Sequence, residues 1–140
     1  MWHLLILCWL IPPQQPQAAV AFINLSEGQT LDHEAALYFG LAGMGIAPYG
    51  IQAKNTGHHH LLVNEDGQKL PRYRPVKTGP NHICYDGGQT QTTLAMVLDH
   101  QSPPLDLPTQ ITLQLVFVDY QEVQFDPVIQ SSKVLVKIEK

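Results

Sequence analysis

Apolar and polar positions alternate along most of this chain in short runs, broken by glycine, proline and asparagine. A period of two puts every second side chain on one face of a strand. Ala35, Leu37, Phe39 and Leu41 share such a face. Ahead of them, Phe22 to Leu25 reads as a short strand and Ser26 to Gln29 as a turn. Gly43 to Gly50 is a loop, followed by an apolar, β-prone run ending at Val63. Asp66-Gly67 is a hairpin-turn signal, and the proline-broken, basic stretch Lys69 to Lys77 predicts an edge or loop. His82 to Tyr85 is a short strand closed by Asp86-Gly87-Gly88.

Three longer runs follow. Gln89 to Leu98 places Leu94, Met96 and Leu98 on one face and predicts a strand that Ser102-Pro103-Pro104 ends. Thr109 to Tyr120 has the clearest alternation, with Ile111, Leu113, Leu115 and Phe117 inward and Thr112 and Gln114 outward. Lys133 to Ile138 closes the chain with Val134, Val136 and Ile138 in phase. No helical period competes. Roughly seven short strands at this turn spacing predict an all-β fold, an immunoglobulin-like antiparallel β-sandwich. Its expected core is Leu37, Phe39, Leu113, Leu115, Phe117, Val134 and Val136.

Composition narrows the class. The 140 residues fit one domain, and 44% hydrophobic against 14% charged residues describes a chain that buries a core. A net charge of −4 with eight basic residues excludes a nucleic-acid surface, which needs a basic patch.

Met1 to Ala21 reads as a signal peptide. Leu4 to Ile11 is its apolar run, and Ala19-Val20-Ala21 is a small-residue cleavage site. A bilayer span needs about 20 apolar residues, so this run is too short to cross. It lacks a preceding Lys or Arg, which leaves an uncleaved anchoring segment as the alternative. Cleavage after Ala21 gives a domain of residues 22–140, exported to the periplasm or another extracytoplasmic space. It also removes Cys8 and leaves Cys84 as the only cysteine, so Cys84 becomes a free thiol, an intermolecular bridge or a ligand.

The chemistry concentrates in two short stretches. His58-His59-His60 runs into Leu61-Leu62-Val63, so His58 and His60 share one strand face and His59 takes the other. His82-Ile83-Cys84 repeats the spacing with a softer second donor. If the two strands are neighbours, His58, His60, His82 and Cys84 bracket one ion. Imidazole and thiolate suit zinc or copper, whereas calcium and magnesium prefer oxygen. A carboxylate such as Asp86 is available as a further partner. The alternative is structural: the histidines hydrogen-bond loop backbone and pin Gly43 to Pro48. His59 is expected to be a core histidine with its polar atoms satisfied, and Met44 and Met96 to be core rather than copper ligands. His33-Glu34 opens a zinc-protease motif, but Leu37 stands where its second histidine belongs.

Gly40 to Pro48, Asn55 to Leu62 and Gly87 to Thr90 together resemble the bacterial exported family called domain of unknown function 4399. The resemblance implies a small β-rich domain behind an export signal. It also implies histidines at the segment matching His82-Ile83-Cys84 and again near the penultimate strand. Here Cys84 stands where a second histidine is usual, and Asp119 to Phe125 holds no histidine.

Phosphate-binding, nucleophile-elbow and dinucleotide motifs are absent from the sequence. Three functions stay open: a metal-binding or metal-handling domain, a structural or accessory subunit docking on a membrane or envelope complex, and a small metalloenzyme.

Overall fold

The strand with the clearest alternation becomes the spine of the molecule. The computed structural model describes residues 17–140, so the apolar run of the expected leader lies outside the described residues. In chain order the strands are β1 (Ala19–Phe22), β2 (Gln29–Leu31), β3 (Ala36–Ala42), β4 (Gly45–Ile46), β5 (Thr56–Val63), β6 (His82–Cys84), β7 (Gln91–Thr93), β8 (Thr109–Val118), β9 (Gln124–Gln130) and β10 (Val134–Ile138). One short helix, α1 (Leu94–Asp99), follows β7 directly. No helix among the described residues is long and apolar enough to cross a membrane.

The strands form an all-β sandwich. A larger sheet runs β2-β10-β8-β5-β4, with β6 also on β5 and β9 also on β8; a smaller one runs β1-β3-β7. Most pairs are antiparallel, and β2 with β10 and β4 with β5 are parallel. Among the described residues there are ten strands rather than about seven, because several are short pieces sharing one edge. β9 and β10 both line the same side of β8, with Ser131 between them. Ser131 keeps the ladder intact: its N–H donates to the Leu115 carbonyl at 2.9 Å, and its hydroxyl accepts from the Leu115 N–H at 2.8 Å.

Between the sheets lies the core. Leu61, Val63, Leu113, Leu115 and Phe117 from the large sheet meet Val20, Phe22, Leu37 and Phe39 from the small one. Of the expected core, Leu37, Phe39, Leu113, Leu115, Phe117 and Val136 are buried, and Val134 packs half-buried at the margin. The first strand starts earlier than Phe22. Val20 and Phe22 face the core, Ile23 is exposed, and Ala19, Val20 and Ala21 pair with Ala42, Leu41 and Gly40.

The strand expected over Gln89 to Leu98 ends after Thr93. Thr93 caps α1, its hydroxyl accepting from Met96 N–H at 3.3 Å, and Leu94 and Val97 turn inward while Met96 is 65% exposed. Leu-Ala-Met-Val-Leu are good helix formers behind a Thr cap. Over so few residues, an i, i+2 set and a helical face look alike.

A second apolar cluster covers the far side of the large sheet. Asp66-Gly67 does not make a tight hairpin; Asp66 caps a single 3-10 turn, Gly67–Lys69. The chain from Asn64 to Asn81 then crosses the outer face as a strap. Val76 and Leu70 pack there on Leu62, Val116 and Val118. Three glutamines hold the strap. Gln114 accepts from Gly67 N–H at 2.9 Å and donates to the Ser131 carbonyl. Gln130 donates to the Gly67 carbonyl and to Gln124, which donates to the Pro71 carbonyl. Gln114 thus does point outward, as its phase predicts, but into a covered face where it is 6% exposed.

Candidate metal centre

Cross-strand register decides which donors meet. On β5, His59, Leu61 and Val63 oppose Phe117, Leu115 and Leu113 on the core face. His58 and His60 therefore lie on the outer face, opposite Val118 and Val116. Across the other edge of β5, His60 opposes Cys84 and Leu62 opposes His82. Both donor pairs share one face of one sheet.

Gly57 makes room for this arrangement. A Cβ there would stand 2.0 Å from the Val118 carbonyl oxygen and 3.0 Å from the Phe117 ring. Only glycine lets β5 start so close to the end of β8. That approach brings His58 against the turn leaving β8.

The turn supplies a donor that no sequence motif announced. Asp119 organises it. Its carboxylate accepts from Gln121 N–H at 2.8 Å and Val123 N–H at 3.0 Å, and its own N–H donates to the Val123 carbonyl at 2.9 Å. Glu122 sits in this turn at φ +67°, a left-handed conformation that favours glycine or asparagine. Its side chain reaches over the histidines.

His58, His60, Cys84 and Glu122 each place one donor atom so that all four lie within 4.8 Å of one another. His58 Nε2 hydrogen-bonds Glu122 Oε1 at 3.0 Å. The Cys84 thiol donates to the same carboxylate at 3.4 Å to Oε1 and 3.6 Å to Oε2. His60 Nε2 touches Glu122 Oε2 but lacks hydrogen-bond alignment. A tetrahedron with ordinary zinc–nitrogen, zinc–oxygen and zinc–sulfur bonds has edges of about 3.3–3.7 Å. The Cys84–Glu122 edge is already of that size, the His58–Glu122 edge at 3.0 Å is shorter, and no edge exceeds 4.8 Å.

His82 stands behind the cluster rather than in it. Its Nε2 meets His60 Nδ1 at 2.6 Å, with the rings nearly perpendicular at 75°. Burial first, and the neighbouring His60 second, lower the His82 pKa to about 4, against the raising effect of Glu122. At neutral pH His82 is therefore uncharged and able to accept from His60 Nδ1–H. That bond leaves His60 Nε2 facing Glu122, the orientation a liganding histidine takes from its outer partner.

Electrostatics in the ion-free cluster favour the carboxylate as the negative group. Burial alone would raise the Glu122 pKa, but the hydrogen bond from His58 and the close approach of His60 hold it below the usual carboxylate range. Burial, then the charge of Glu122, push the Cys84 thiol up to about 12. An incoming cation must displace that thiol proton.

The loop-pinning form of the structural alternative is not what these rings do. The hydrogen bonds made by the rings of His58, His60 and His82 go to Glu122 and to one another, not to the backbone of Gly43 to Pro48. His58 Nδ1 is buried without a partner. His59 is a core residue as expected, between Phe39 and Phe117 at 5.2 Å to each ring centroid. It is not satisfied, however: both ring nitrogens lack partners. The carboxylate at the cluster is Glu122 rather than Asp86; Met44 packs on the main core as expected, whereas Met96 is not a core residue but exposed on α1.

A family model described as a domain of unknown function (DUF4399) matches residues 37–139. The chain belongs to the DUF4399 family. The matched span begins within β3 and takes in all four donors and His82. In this DUF4399 domain, Glu122 occupies the segment where the resemblance implied histidine. No curated protein and no solved structure matches the chain.

Proposed function

We propose that this DUF4399 domain is an exported metal-binding domain that takes one zinc or copper ion through His58, His60, Cys84 and Glu122. The observation that carries the reading is the convergence of those four donors within 4.8 Å on one sheet face. The donor chemistry fits: two imidazoles, a thiolate and a carboxylate are a borderline-soft set, poor for calcium or magnesium. His82 is the outer partner that fixes His60. Export is read from the apolar Leu4 to Ile11 run and the small residues after it.

Metal stoichiometry and affinity of untagged protein test the reading. Wild type should bind one equivalent of zinc or copper, and His58→Ala/His60→Ala should bind none specifically. Equal binding by the double variant would return the histidines to a structural role. Cell fractionation with intact-mass measurement tests export separately: the protein should be found outside the cytoplasm without the Leu4 to Ile11 run, and cleavage after Ala21 itself would cost β1 its residues Ala19 to Ala21.

A further inference from the structure

We infer that the ion held here is copper and that it cycles between Cu(II) and Cu(I), which makes the domain a one-electron carrier. The inference rests on the metal-binding reading above and goes further by choosing the metal and its chemistry.

Three of the four donors are fixed and one is free to adjust. His58 and His60 belong to β5, which is hydrogen-bonded on both edges, and Cys84 faces His60 in the ladder with β6. Their relative positions are set by sheet geometry. Glu122 alone comes from a turn, and its side chain is 16% exposed where those of His58 and His60 are fully buried. The rigid part is thus two imidazoles and a thiolate, and the adjustable part is the hard oxygen donor.

That division suits copper in both oxidation states. Two histidines and a cysteine with one weaker oxygen or thioether donor is a copper electron-transfer set. Cu(I) is content with the soft three-donor plane, whereas Cu(II) gains from a hard oxygen as fourth ligand. Glu122 can approach or withdraw at the mouth of the site while the sheet holds the rest, so the two states differ little in protein geometry. A structural zinc site needs four steady ligands. Divalent copper also outcompetes zinc at a given nitrogen, oxygen and sulfur site. On loading, the Cys84 thiol loses its proton to solvent and forms a copper–sulfur bond. In the redox step one electron from a one-electron donor protein converts Cu(II) to Cu(I), a one-electron acceptor protein takes that electron and restores Cu(II), and no other bond need break.

Optical titration of the untagged, reduced, ion-free protein with Cu(II) tests this, with Zn(II) in competition. The expected result is one equivalent of copper, intense thiolate-to-copper charge-transfer absorption, and retention of copper against a tenfold excess of zinc. Ascorbate should bleach the band and a mild oxidant restore it over repeated cycles. Cys84→Ser should lose the band while keeping circular dichroism, and Glu122→Gln should keep it with a shifted maximum. Weak absorption unchanged in Cys84→Ser would overturn the inference, since the thiolate would not be a ligand. Disulfide-linked dimers formed at the expense of copper would overturn it too, as would displacement by equimolar zinc. Zinc binding without a stable copper state refutes copper cycling and leaves the metal reading intact, whereas no binding of either metal refutes both.

Discussion

His60 and Cys84 stand directly opposite each other on β5 and β6. Opposed residues on one sheet face hold their Cβ atoms about 4.5–5.5 Å apart. The pair is therefore created by strand register, and it exists only while β6 is docked on β5. His82, two residues before Cys84, falls opposite Leu62 instead and reaches His60 from behind.

This arrangement separates ligands from supporting residues by experiment. Cys84→Ser or His60→Ala should abolish specific zinc or copper binding in calorimetric titration. His82→Ala should weaken it by about 10–100-fold, the usual effect of losing an outer partner of a metal-bound histidine. Because the Cys84 thiol is pushed up to about 12 in the ion-free protein, binding near neutral pH should release its proton. Affinity should then rise with pH and fall in acid. Proton release follows from the buffer dependence of the binding enthalpy.

The left-handed backbone at Glu122 sets function against stability. Glu122→Gly and Glu122→Ala both remove the fourth donor, and both should bind zinc or Cu(II) more weakly while the two imidazoles and the thiolate still hold Cu(I). Only glycine is at ease at φ +67°. The glycine variant should be the more stable of the two by about 1 kcal/mol in denaturant unfolding. Equal stabilities would mean that the turn relaxes when the side chain is lost.

His59 should make the protein acid-sensitive. Burial, with the neighbouring His58 and His60, lowers its pKa from 6.5 to about 4. Between those values the unfolded chain binds a proton that the folded one refuses. Stability is therefore intact above pH 6.5, falls as pH drops toward 4, and has lost about 3 kcal/mol from this group by then. His59→Leu removes a buried ring with two unpartnered nitrogens. It should stabilise the protein at neutral pH and reduce the slope of unfolding free energy between pH 6.5 and 4, the remainder coming from His82.

Gln114→Ala should destabilise by about 1–3 kcal/mol, because it strands the buried Gly67 N–H and the Ser131 carbonyl. Leu115→Ala, in the main core, should cost about 2–5 kcal/mol through the cavity it leaves. Urea unfolding of both variants checks the pair. A neutral Gln114→Ala would show that the strap is held by its apolar contacts alone.

Much of this was legible because strand alternation is a local signal. The faces of β3, β8 and β10 follow from every second residue, and the same rule put His58 and His60 together and His59 apart. Adjacency of β5 and β6 was left open by the sequence, because the connection between them fits pairing or separate sheets equally well, and the observed register supplies it. Glu122 was hidden for the opposite reason. It lies 64 residues from His58 and reaches it from a turn, where no period applies. The one local sign was an acidic residue at a turn position that favours glycine. β9 was masked by Pro127, which argues against a strand, although β9 pairs with β8 only near Val116 to Val118. Gln114 was read correctly for direction, but alternation cannot reveal that a distant segment covers the face.

The strap over the outer face has its own small apolar cluster, distinct from the core between the sheets. It can therefore open as a subglobal unit while the sandwich stays folded, and its amides should exchange with solvent sooner than those of β8. One bond ties this unit to the donor cluster: Val76 N–H donates to the carbonyl of Glu122 at 2.9 Å. An ion that fixes Glu122 would hold the strap's anchor as well. Loading should slow deuterium uptake across the strap, far beyond the four donors, so that occupancy is reported at a surface the ion never touches.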